Sequence, residues 1–131
     1  MQIFKLIICG FLALFFIAAG IMHFVNDDSF AAIVPPILPF KYPIVWATGV
    51  MELVFALGLL LPKYRQKTGV WLSVYLLAVL PANIYMAIAG ISFGDITSTK
   101  PQLWGRVAMQ FPLIALILWA SRDAKAQTQM Q

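Results

Sequence analysis

Residues 68–90 read TGVWLSVYLLAVLPANIYMAIAG, an apolar run that carries a proline and a carboxamide deep inside it. At about 1.5 Å per residue, a helix over this run is long enough to cross a lipid bilayer. Within lipid, Pro81 frees a backbone carbonyl and the Asn83 amide needs a partner. The run therefore predicts a membrane-spanning helix whose polar groups meet groups from other parts of the chain.

Three further apolar runs of similar length surround this one. With 62% apolar residues, 11% charged residues and a mean hydropathy of +0.88, the 131-residue chain is too apolar for a soluble domain of this size. The helices of a soluble bundle would also carry polar faces at helical period. We predict a single all-α domain, a polytopic membrane protein with a four-transmembrane-helix bundle over residues 3–25, 43–61, 68–90 and 103–120 and a polar tail over 123–131.

The basic residues indicate how this bundle is oriented. Six of the nine lysines and arginines flank one set of span ends, namely Lys5, Lys63, Arg65, Lys67, Arg122 and Lys125, and Lys41, Lys100 and Arg106 lie on the other side. Since cytoplasmic flanks are enriched in lysine and arginine, we predict that both termini are cytoplasmic. The net charge of +4 belongs to these membrane-flanking positions, so we expect a lipid bilayer and no nucleic acid as partner.

The segment between the first two spans is unusually apolar for a loop. Residues 30–34 are apolar but too few to cross a bilayer, and Pro35, Pro36 and Pro39 prevent a regular helix after them. We predict a short interfacial segment at the outer surface. Two hypotheses remain open for it: a passive cap on the bundle, or a lid over a cavity.

Each of the four spans carries polar side chains toward its outer end. At about 1.5 Å per residue, Glu52 lies roughly 13 Å and Asn83 roughly 10 Å from the outer ends of their spans. His23 is close to the end of the first span, and Arg106 and Gln110 lie in the first turns of the fourth. An ionisable group at this depth costs about 3 kcal/mol, so it usually pairs or lines a cavity. We predict a Glu52–Arg106 pair, braced by the two carboxamides, that is either a ligand site or a structural clamp.

Several motifs resemble the DoxX-like family of small bacterial membrane proteins over roughly residues 16–120. They are AGIMHF at 19–24, VPPILP at 34–39, GVME at 49–52, PANIYMA at 81–87, and Arg106 with Gln110. The resemblance implies a four-helix bundle in the bacterial cytoplasmic membrane and polar site positions at His23, Glu52, Asn83, Arg106 and Gln110. Relatives of that family are linked to a thiosulfate:quinone oxidoreductase and to other redox complexes, which implies oxidoreductase subunits as partners.

The sequence contains no cofactor motif. Cys9 is the single cysteine, which excludes an intrachain disulfide, and one histidine with scattered carboxylates has no metal-ligand spacing. We therefore expect a non-catalytic subunit that binds a quinone or a lipid in an outer-leaflet pocket and leaves redox chemistry to a partner. The predicted ligand-binding residues are His23, Glu52, Asn83, Arg106 and Gln110, with walls from Phe24, Trp46, Tyr85 and Trp104.

Three other functions remain compatible with the same residues. A proton-coupled exporter would use Glu52 as its carrier of protons, and a lipid isomerase would use Glu52 with His23 as acid and base. A purely structural membrane scaffold needs no site at all. Homo-oligomers are compatible with each of these functions, because apolar helix faces are required in lipid in any case.

Overall fold

The computed structural model describes residues 2–91 and 99–122, and within these ranges it contains five helices. They are α1 (Gln2–Val25), α2 (Asp27–Ala32), α3 (Lys41–Leu60), α4 (Arg65–Ala89) and α5 (Lys100–Ser121). All except α2 are long and apolar enough to cross a membrane. The predicted all-α bundle of four spanning helices with a short segment between the first two is confirmed. Residues 92–98, between the third and fourth predicted spans, and the whole predicted tail at 123–131 lie outside the described residues.

Three of the spanning helices begin before the predicted apolar runs. α3, α4 and α5 start at Lys41, Arg65 and Lys100, whereas hydropathy placed their starts at 43, 68 and 103. Long basic side chains can reach the headgroup region from the membrane edge, so the helical backbone continues past the last apolar residue. The start of α5 is also fixed by a capping box between Thr99 and Gln102.

The spanning helices form a ring in the order α1, α3, α4, α5. α1 packs against α3 and α5, and α4 packs against the same two helices, so α1 lies opposite α4 and α3 lies opposite α5. The short helix α2 packs on α1 and α3. We call this end of the bundle the α2 end; it contains the carboxyl ends of α1 and α4 and the amino ends of α3 and α5.

The half of the bundle away from the α2 end is filled by a continuous apolar core. Its fully enclosed side chains include Cys9, Leu59, Leu72 and Ile117. Toward the terminal end of this core, Lys5 is only 7% exposed and its Nζ lies 5.2 Å from the centre of the Trp119 ring. Apolar side chains therefore dominate this half, and the polar residues predicted as a site lie toward the α2 end.

α1 and α3 come close to backbone contact where Gly20 faces Gly49. A Cβ atom on Gly49 would lie 2.8 Å from His23 Cβ and 3.1 Å from the carbonyl oxygen of Gly20. A Cβ on Gly20 would lie 2.9 Å from the Gly49 carbonyl oxygen. Small residues permit this approach, as is common between helices in lipid. The contact brings His23 of α1 beside Glu52, one turn beyond Gly49 on α3.

Candidate functional site: a polar cavity at the α2 end

A cavity of about 750 Å³ lies at the α2 end and is bordered by all four spanning helices. The structure places all five predicted polar residues in its wall: His23, Glu52, Asn83, Arg106 and Gln110. The rest of the wall is mostly apolar, with Phe15 and Phe16 from α1, Val79 from α4, and Met109 and Leu113 from α5. The cavity thus combines an apolar interior with a few polar groups at definite positions.

Glu52 is buried, 7% exposed, and held from both neighbouring helices. The Tyr75 hydroxyl of α4 donates to Glu52 Oε1 at 2.9 Å, and His23 Nδ1 of α1 lies 3.4 Å from Oε2. Oε2 is enclosed and accepts no hydrogen bond from the residues that the structure describes. One carboxylate therefore connects three helices and keeps one oxygen without a donor.

The predicted Glu52–Arg106 ion pair is wrong. The ion-pair neighbour that the structure gives Glu52 on α1 is the His23 ring, and no carboxylate among residues 2–91 and 99–122 lies within ion-pair distance of Arg106. The ring order is the reason, because α3 and α5 lie opposite each other. Arg106 is instead exposed at the edge of the cavity, where its Nη1 lies 3.8 Å from Met86 Sδ.

Asn83 and Gln110 form a hydrogen-bonded chain between the adjacent helices α4 and α5. Asn83 Nδ2 donates to Gln110 Oε1 at 2.9 Å, and Gln110 Nε2 donates to the carbonyl oxygen of Leu76 at 3.0 Å. Pro81 lacks the amide that would bond the Leu77 carbonyl, so the contact falls one residue before the carbonyl that the proline frees. The two carboxamides were predicted to brace a Glu52–Arg106 pair, and they instead bind each other and the α4 backbone.

His23 is fixed at the carboxyl end of α1 by three contacts. Its Nδ1 lies 2.7 Å from the carbonyl oxygen of Ala19 and faces Glu52, and its ring stacks on Phe30 with centroids 3.9 Å apart. Phe30 belongs to α2, so the histidine joins the interfacial helix to the bundle. The residue is 8% exposed and borders the cavity.

The three large aromatic residues predicted to bind the ligand do not line the cavity. Tyr85 and Trp104 are each two positions from a cavity residue, Asn83 and Arg106, and two positions turn a helix by about 200°. Trp46 is turned toward α2, where its Nε1 donates to Asp27 Oδ2 at 3.2 Å. The remaining predicted wall residue, Phe24, also lies outside the lining and is 42% exposed.

Sequence reasoning missed the aromatic residues that do border the cavity. Phe15, Phe16, Phe30 and Tyr75 line it, and Tyr75 also supplies the hydroxyl that binds Glu52. Depth did not point to Tyr75, because it lies roughly 22 Å from the outer end of its predicted span, whereas Glu52 lies roughly 13 Å from the outer end of its own. The phenylalanines carry no distinguishing signal either, because apolar side chains fill every predicted span.

The segment after α1 covers the cavity and is tied to α3. Phe30, Ile33 and Val34 border the cavity, and the aspartates at the start of α2 accept hydrogen bonds from α3. Tyr42 donates to Asp28, and Trp46 donates to Asp27. Both hypotheses for this segment, a passive cap and a lid over a cavity, stay open.

Removing both ties is expected to loosen this cover. In a Cys9→Ala background, the double substitution Tyr42→Phe, Trp46→Phe should raise the rate of maleimide labelling at Ile33→Cys about fivefold, since two lost hydrogen bonds amount to about 1 kcal/mol. Ile33 is 8% exposed. Labelling at Ile37→Cys, a position that is 88% exposed, should not change. An unchanged rate at Ile33→Cys would show that packing alone holds the segment in place.

Fold and cavity together define a small multi-pass membrane protein with a polar site inside an apolar bundle. The chain belongs to the family described as Domain of unknown function (DUF8561), which matches residues 12–122. The matched range includes every residue that borders the cavity. No curated protein and no solved structure matches the chain. Within residues 2–91 and 99–122, no group of three histidine, cysteine or acidic side chains is placed to hold a metal ion.

Proposed function

We propose that this protein binds a small amphipathic molecule, a quinone or a lipid, in the cavity at the α2 end. One observation carries the proposal: polar side chains from all four spanning helices converge on an open volume of about 750 Å³. Sites for small molecules usually occupy about 300–1,000 Å³ and combine apolar walls with a few polar groups. A clamp that only joined the helices would need the contacts within the two polar groups, but it would need no open volume between them.

The distribution of polar groups suggests how the molecule would lie. Phe15, Phe16 and Leu113 offer apolar surface for its body, and His23 and Asn83 offer polar contacts for its head. Arg106 stands at the exposed edge with no carboxylate partner among the described residues. Glu52 takes a different part from the one predicted, since it orients His23 and Tyr75 and does not neutralise Arg106.

The resemblance to the DoxX-like family supports a more specific setting for this activity. In that setting the protein is an accessory subunit of a redox system in the bacterial cytoplasmic membrane, with cytoplasmic termini and an outer-leaflet cavity. The basic residues at the terminal side of the bundle favour this orientation. Any redox centre belongs to a partner oxidoreductase subunit, to which the bound molecule is presented or from which it is received.

Filling the cavity tests this proposal. Ala82 borders the cavity and Ala78, one turn away on α4, is exposed on the outer surface of the bundle. Wild type, Ala82→Phe and Ala78→Phe would be purified in mild detergent, and their co-purifying small molecules identified by mass spectrometry. We expect a discrete amphipathic molecule with wild type and Ala78→Phe, and its loss from folded Ala82→Phe. The same bulk lipids in all three samples would contradict the proposal.

A further inference from the structure

The contact at Ala19 fixes which nitrogen of His23 carries hydrogen. A backbone carbonyl oxygen can only accept, so Nδ1, at 2.7 Å from it, must be the donor. In the neutral ring, Nε2 then holds a lone pair and is an acceptor. Nε2 is the ring nitrogen farther from the α1 backbone, and no residue that the structure describes donates to it. His23 borders the cavity, and among its contacts with the described residues Nε2 is the ring nitrogen that is not already engaged.

A backbone carbonyl also orients the two side-chain amides of Asn83 and Gln110 between α4 and α5. Gln110 must turn its Nε2 toward the Leu76 carbonyl, which leaves Oε1 to face Asn83. Asn83 must then donate from Nδ2 to Gln110, so this hydrogen bond does not use its Oδ1. No donor among the described residues binds Oδ1. Backbone carbonyls at two places thus orient two side-chain networks so that each leaves one unengaged acceptor atom on a residue that borders the cavity.

We infer that the head of the bound molecule carries a hydroxyl group that donates a hydrogen bond to His23 Nε2, with Asn83 Oδ1 as a second acceptor. This inference rests on the proposed function and names the chemical class of its ligand: a long-chain phenol, hydroquinone or alcohol. A head with only carbonyl or ether oxygens would place acceptors against acceptors, and both wall atoms would stay unsatisfied on burial. The cost of that mismatch is what discriminates between the two classes.

A matched pair of probes tests the inference directly. 4-Nonylphenol and 4-nonylanisole share ring and chain, but the anisole oxygen carries a methyl group and cannot donate. The full-length protein in dodecyl maltoside would be incubated with equal concentrations of both, and the two bound forms compared by native mass spectrometry. We expect the phenol to bind about tenfold tighter, as the loss of one hydrogen bond implies.

Two substitutions at His23 identify the acceptor. The side-chain carbonyl of His23→Gln reaches about as far as Nε2, whereas the shorter side chain of His23→Asn reaches only as far as Nδ1. We expect His23→Gln to keep most of the preference for the phenol and His23→Asn to reduce it toward equal binding. Equal preference in these two variants would contradict the assignment to Nε2.

The possible results separate the inference from the proposed function. Equal binding of both probes to wild type, lost in Ala82→Phe, would leave a ligand-binding cavity and refute the hydroxyl requirement. Tighter binding of the anisole would refute it as well. Failure of both probes to bind wild type would overturn the proposed function together with the inference.

Discussion

Replacing Glu52 with alanine is expected to lower the free energy of unfolding by about 3 kcal/mol, the cost of a buried donor left unsatisfied together with that of the cavity left by the lost side chain. The alanine would leave the Tyr75 hydroxyl without its acceptor and His23 without its carboxylate neighbour. Glu52→Gln should cost far less, because its side-chain carbonyl can still accept from Tyr75 in nearly the same volume. Thermal unfolding in detergent, followed by circular dichroism, measures both.

Two controls make this comparison specific to the network. Val54 lies on the same helix and is 60% exposed, so Val54→Ala should have little effect on stability. In a Tyr75→Phe background the cost of Glu52→Ala should fall, because the hydroxyl that it strands is already absent. Equal losses for Glu52→Ala and Glu52→Gln would mean that the hydrogen bond from Tyr75 contributes nothing.

Gly49→Ala is expected to have the second-largest effect, a loss of about 1–3 kcal/mol from overpacking. The added methyl group would lie 2.8 Å from His23 Cβ and 2.9 Å from Phe24 Cε2, so α1 and α3 must separate. Separation would also move His23 away from Glu52. We therefore expect weaker probe binding along with a lower unfolding temperature.

Gly10→Ala is the matched control for that substitution. Gly10 lies in the spanning helix α1, and a Cβ atom added there meets nothing within 4 Å. Because alanine favours helix over glycine by up to about 1 kcal/mol, this variant should be as stable as wild type or slightly more so. Comparable destabilisation at both glycines would show that close approach of α1 and α3 is not what Gly49 provides.

The bundle was predictable because it depends on a property that hydropathy measures directly. Four runs of about 20 apolar residues are each long enough to cross a bilayer as a helix. A helix pairs its own backbone N–H and C=O groups, as the absence of water in lipid requires. The helix ends were predicted less well, since Lys41, Arg65 and Lys100 are charged and yet helical. Hydropathy shows where the apolar side chains end, whereas the hydrogen bonds of the helical backbone extend up to about one turn further.

The sequence predicted how far along its helix each candidate-site residue lies, but it did not predict which helices are neighbours in the ring. Counting residues from the span ends placed His23, Glu52 and Asn83 at one end of the bundle, and all three border the cavity. Depth does not reveal which helices are neighbours, so opposite charge favoured Arg106 as the partner of Glu52. The ring order instead puts α3 beside α1 and α4, and the partners are His23 and Tyr75.

The most direct test of this account is a crystal structure of the wild-type protein purified in mild detergent without exchange of its lipids. We predict elongated density along the apolar wall formed by Phe15 and Phe16, ending in a polar head within hydrogen-bond distance of His23 Nε2. A collapsed cavity, with Arg106 turned inward to pair with Glu52, would contradict the account. That result would identify the polar residues as a clamp between helices.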